Sequence, residues 1–63
     1  MFLRYRIRVG ASKEYFSASY QMAREIFNEL AAQRLACTLD KLDGARVVEF
    51  VCAWAPGIGI YQR

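Results

Sequence analysis

Histidine is missing altogether from this 63-residue sequence. Its absence removes the commonest general base, the Ser–His and Cys–His nucleophile pairs, and nearly every zinc site with fewer than four thiolates. Cysteine is scarce. Cys37 and Cys52 are too few for a disulfide framework and cannot make a structural zinc site by themselves. No apolar run approaches the ~18 residues that a membrane-spanning helix requires. The opening MFLRYRIR lacks the pattern of a secretory signal, and the expected setting is reducing and cytoplasmic. Neither an enzyme nor a cofactor or metal is expected, because a single helix on a small sheet leaves little room for a catalytic pocket.

Apolar residues, by contrast, are plentiful. They make up 56% of the chain, with four Phe, four Tyr and one Trp. A chain this short buries only about 60% of its unfolded surface, so a rich core matters, and this composition excludes disorder. One domain over residues 1–63 is expected, with 58–63 either a short extra strand or a loose tail. Nine Lys and Arg against six Asp and Glu give a net charge of +3, which permits a nucleic-acid partner without demanding one.

Phe2 to Val9 alternates with period two, Leu3, Tyr5, Ile7 and Val9 on one face and Arg4, Arg6 and Arg8 on the other. That is the pattern of a half-buried strand. Gly10 to Lys13 reads as a turn, and Glu14–Phe16 as a short returning strand. Ser19 is the preferred N-cap of a helix from Tyr20 to Arg34, whose Tyr20, Ala23, Ile26, Phe27, Leu30 and Ala31 form one apolar stripe. Leu35 to Leu42 alternates again, Asp43-Gly44 signals a hairpin, and Arg46 to Trp54 is the most apolar strand.

Strand, helix, strand, strand implies an α+β fold: a three-stranded antiparallel sheet with one helix on one face. In this arrangement Arg46–Trp54 is central, the first strand is an edge, and a short extra strand near Glu14–Phe16 is an option. The helix would bury Tyr5, Ile7, Leu39, Val48, Phe50 and Cys52. The other face would carry the arginines with Val47, Glu49, Val51, Ala53, Thr38 and Asp40.

The arginine stripe is the sharpest feature. Alternate strand residues lie roughly 6.5–7 Å apart, so three guanidinium groups span about 13 Å. The ordinary explanation is an edge strand protected by charge, with Glu49 pairing one arginine. The functional one is a surface in which Arg4, Arg6 and Arg8 meet acidic groups of a protein partner while Val47 and Val51 supply apolar contact. Glu49 lies within that surface, and Trp54 is either an interface anchor at its rim or a cap on the core. Cys37 and Cys52 read as buried thiols acting as small hydrophobes.

The expected function is therefore a stand-alone protein-binding module, an inhibitor or adaptor of the accessory kind that phages and other mobile elements encode. It would act as a monomer, or as a homodimer through the edge strand, with no membrane partner. The alternative is a nucleic-acid binder that sets the Arg4/Arg6/Arg8 stripe against phosphates. Exposed aromatic stacking partners are missing from that alternative, since the first strand's aromatics other than Phe2 face the helix.

Overall fold

The computed structural model describes residues 3–62. Phe2 and Arg63, the ends of the expected first strand and of the expected tail, lie outside the described residues. The chain runs β1 (Leu3–Val9), β2 (Lys13–Ser17), α1 (Tyr20–Ala32), β3 (Cys37–Asp43), β4 (Arg46–Ala55) and β5 (Gly59–Gln62). The strands form one sheet in the order β2-β1-β3-β4-β5, and every neighbouring pair is antiparallel. No helix among the described residues is long and apolar enough to cross a membrane.

The α+β class holds, but the sheet has five strands rather than three. Gly10, at φ +62°, turns the chain back so that β2 pairs with β1 along its whole length. Gly57, at φ +85°, and an Ile58 N–H donating to the Ala55 carbonyl at 3.2 Å do the same for β5 against β4. Both positions are left-handed, where glycine carries no Cβ penalty. Two consequences correct the expected topology. β1 is interior, flanked by β2 and β3, so its arginines do not protect an edge, and the edges are β2 and β5. The middle strand is β3, not the more apolar β4.

Helix α1 starts as its sequence dictates. The Ser19 side chain caps it, accepting a hydrogen bond from the Met22 N–H at 3.3 Å. It ends two residues before the expected Arg34. The Arg34 N–H reaches the Ala31 carbonyl and the Leu35 N–H reaches the Leu30 carbonyl, while Arg34 takes φ +62°. This is a Schellman closure with arginine where glycine is usual.

One face of α1 packs on the sheet. Phe27 and Ala23 are fully buried against Ile7, Cys37, Leu39 and Cys52, with Tyr5, Val9, Ile26, Leu30, Val51 and Trp54 around them. Burying a Phe, Ile or Leu of this size stabilises by about 1.5–3 kcal/mol each. The expected core members Val48 and Phe50 are not in this cluster. Val48 is 45% exposed, and Phe50 pairs with Asp40 on the far side of the sheet.

The reason is a pair of bulges in β4. Asp43 opposes Arg46 across a two-residue turn, where Gly44 has φ +64° and Ala45 does not have positive φ, the pattern of a type II′ hairpin. Register then shifts twice, between Lys41 and Leu42 and between Leu39 and Asp40. Val48 and Val51 are the extra residues. Between them alternation is inverted, so Glu49 takes the α1 side opposite Lys41 and Phe50 takes the other.

Candidate functional site

Directly opposed residues of antiparallel strands share a face, so the register lays out the face away from α1 as three rows. The first is Arg4, Leu42 and Val47. The second is Phe16, Arg6, Asp40 and Phe50. The third is Glu14, Arg8, Thr38 and Ala53.

The middle row is an ion pair between two phenylalanines. Arg6 Nη2 donates to Asp40 Oδ2 at 3.1 Å, and Arg6 Nη1 lies 3.6 Å from Glu14 Oε2. The Arg6 side chain is 18% exposed and that of Asp40 only 7%. A carboxylate can be buried this deeply when a fixed guanidinium replaces its water. Arg6 is therefore engaged within the fold, and its partner is Asp40 rather than the expected Glu49.

In the first row the Arg4 guanidinium carbon sits 4.4 Å from the centroid of the Phe16 ring. Stacking of this kind contributes about 0.5–1 kcal/mol at an exposed site. It fixes the arginine in place but leaves its Nε, like that of Arg6, shut off from water without an acceptor. Leu42, at 1% exposure, fills the sheet between Arg4 and Val47, while Phe16 and Val47 remain 46% and 47% exposed. The third row differs. Arg8 is exposed, and no acidic group among the described residues pairs with it; Glu14, directly opposite in register, lies 3.6 Å from Arg6 instead.

Of the seven residues read from sequence as partner-binding, the structure brings Arg4, Arg6, Arg8 and Val47 onto one face. It does not bring the other three there. Glu49 stands on the α1 side opposite Lys41. Val51 is a bulge residue packed on the core. Trp54 opposes Cys37, half-buried against the core, with the Arg34 guanidinium 5.7 Å from its ring, and so caps the core near the end of α1. The residues that sequence reasoning missed are Phe16 and Phe50. Period two in KEYFS puts Glu14 and Phe16 on one side but does not say which, and Phe50 reaches this face only through the bulges.

The two thiols lie on the opposite face. Both are free. Burial pushes the Cys37 thiol above the ordinary range, and the neighbouring Cys52 adds to the shift. Burial raises Cys52 as well, against the opposing pull of Arg24, whose Nη1 is 3.4 Å from the sulfur. A thiol that is buried and held protonated is a poor nucleophile. Among the described residues no group of three or more Cys, Asp or Glu side chains converges to hold a metal ion. Set against family models, curated proteins and solved structures, the chain matches none.

Proposed function

We propose that this chain is a protein-binding module, an inhibitor or adaptor, that docks a partner through the sheet face opposite α1. The observation that carries the reading is Arg4 stacked on Phe16, with the exposed Val47 two strands along the same row beyond Leu42, on the face that α1 leaves uncovered. A pre-positioned arginine and an aromatic ring are among the side chains enriched at interface centres, and Val47 adds apolar area on the same face. Holding the guanidinium on the ring before binding also lowers the ordering cost of association. The net charge of +3 favours a partner with an acidic surface.

The test is a pull-down from a bacterial lysate with and without nuclease, followed by calorimetry with the purified partner. The Phe16→Ala/Val47→Asp variant should weaken a nuclease-resistant complex at least tenfold. Unchanged affinity would move the docking surface elsewhere.

A nucleic-acid reading also has an observation in its favour. Phe16 and Phe50 share the face with the arginines, supplying the aromatic platform that single-strand binders use. Engagement of Arg6 by Asp40 and Glu14 works against it, since phosphate binding needs free cations. Salt separates the two. Neutralising several phosphates gives a steep linear fall of log affinity with log salt, and a partly apolar protein interface does not.

A further inference from the structure

Beside Arg8 the sheet carries a cleft of about 320 Å³. It lies where β1 runs out at Gly10 and β3 begins, the two joined by the Gly10 N–H donating to the Ala36 carbonyl at 3.4 Å. Gly10, Ala36, Ala53 and Ala55 line it together with Cys37 and the bulky Trp54, while Arg8 and Thr38 supply the polar side chains. Thr38 is directly opposite both Arg8 and Ala53, so hydroxyl and guanidinium project from neighbouring positions on the same face.

We infer that this cleft binds a carboxylate carried on an apolar body, with the Arg8 guanidinium and the Thr38 hydroxyl as its two donors. Three features converge. Arg8 lacks an acidic partner among the described residues, although Arg6, two residues away on the same face, has two. A guanidinium presents a planar fork that matches a carboxylate in bidentate fashion. One cation balances one negative charge, which favours a monoanionic carboxylate over a phosphate dianion. Beyond the donors the lining side chains are Trp54, Cys37 and three alanines, interleaved with backbone polar groups, and the volume falls at the lower end of the range for small-ligand sites, enough for one amino-acid side chain or a small ring.

The inference deepens the docking reading and rests on it only for the source of the carboxylate. A partner's chain terminus or acidic side chain would enter here, one row away from Phe16 and two from Arg4. The same chemistry would accept a free small carboxylic acid, and the experiment separates these sources.

¹⁵N-labelled protein is titrated with the tripeptide Ala-Ala-Phe, with its C-terminal amide, with N-acetyl-glutamate amide, with benzoate and with inorganic phosphate. The expected result is a saturable shift of the amides of Gly10, Thr38, Ala53 and Ala55 with at least one carboxylate probe. For the tripeptide the shift should vanish on amidation. Which carboxylate binds tightest names the source: chain terminus, side chain or free acid. Arg8→Gln should weaken that binding at least tenfold. Arg8→Lys, which keeps the charge but not the fork, should weaken it several-fold with the spectrum otherwise unchanged. Equal shifts from tripeptide and amide, indifference to Arg8→Gln, or a response to phosphate alone would overturn the assignment. Phe16→Ala/Val47→Asp is the control that separates the two readings. If it abolishes partner docking while the carboxylate shifts persist, each stands on its own. If docking is lost only in Arg8→Gln, the cleft holds and the Arg4/Phe16 reading falls.

Discussion

Arg6 and Asp40 face each other across β1 and β3 with guanidinium and carboxylate 3.1 Å apart, in the middle of the sheet face that carries no helix. The pair explains two otherwise unconnected facts. Asp40 is 5% exposed although no helix covers it, and the central arginine of a three-arginine stripe is unavailable to a partner. The stripe is thus three residues in three different states: Arg4 stacked, Arg6 neutralised, Arg8 open.

Removing one member of that pair should be severe. Asp40→Ala leaves Arg6 with Glu14, which is 44% exposed at 3.6 Å, and should cost about 3 kcal/mol. Total stability for a chain of this length is about 3–9 kcal/mol, so urea unfolding should shift drastically or show a largely unfolded population. The double change Arg6→Met/Asp40→Leu, which replaces both charges by apolar side chains, should lie within about 1 kcal/mol of wild type or exceed it. A double variant as unstable as the single one would show that the pair does not act as a unit.

Arg34 holds a left-handed conformation at the end of α1, where a non-glycine residue is disfavoured by roughly 1 kcal/mol. Its guanidinium over Trp54 returns part of that. Arg34→Gly should therefore raise the melting temperature slightly, by the difference of the two effects. Arg34→Val, with a branched Cβ and no cation, should lower it clearly. Thermal unfolding of the two variants against wild type gives the sign directly.

Much of this was legible in the sequence, and the failures have one physical cause. The β1 alternation, the Ser19 cap and the α1 stripe are local, and each appears where periodicity and capping place it. Placement of β1 within the sheet was not local, because it depends on whether Lys13–Ser17 and Gly59–Gln62 pair at all. The candidate site suffered most at β4. RVVEFVCAW is apolar on both parities, so its pattern specifies register weakly, and nothing in it marks Val48 and Val51 as bulges. Asp40 was the readable clue, alternating with Thr38 onto the arginine face.

Both thiols have raised pKa values in the fold, so the sign of their pH effect is fixed. The native state holds its thiol protons more tightly than the unfolded chain. Stability is therefore fully present below the ordinary thiol value of 9.0 and declines as pH rises past it toward the folded values. Stability measured by urea at increasing alkaline pH should fall over that window, and Cys37→Ala/Cys52→Ala should flatten the fall while lowering stability overall. Iodoacetamide at neutral pH should label neither residue in the native protein and both after denaturation. Fast native labelling would contradict the burial of 3% and 0% exposure.

The bulges make the last prediction a matter of sign. The hairpin starts with Asp43 opposite Arg46 and Leu42 opposite Val47. Continued without interruption, it would set Asp40 against Glu49, Leu39 against Phe50 and Cys37 against Cys52. Two carboxylates would then face each other at a buried position, with Arg6 left to serve both. The extra residues Val48 and Val51 instead bring Glu49 opposite Lys41 and give Asp40 to Phe50 and Arg6. Like charges directly opposed cost a few tenths of a kcal/mol to about 1 kcal/mol, and opposite charges stabilise by a similar amount. In the bulged register Glu49→Lys sets lysine against Lys41 and should destabilise modestly. In the unbulged register the same change would relieve repulsion from Asp40 and stabilise. Urea unfolding of this one variant decides between them, and cross-strand NOEs between Lys41 and Glu49, with none between Asp40 and Glu49, should agree with a loss of stability. A gain would restore the simple alternation and return Glu49 to the arginine face.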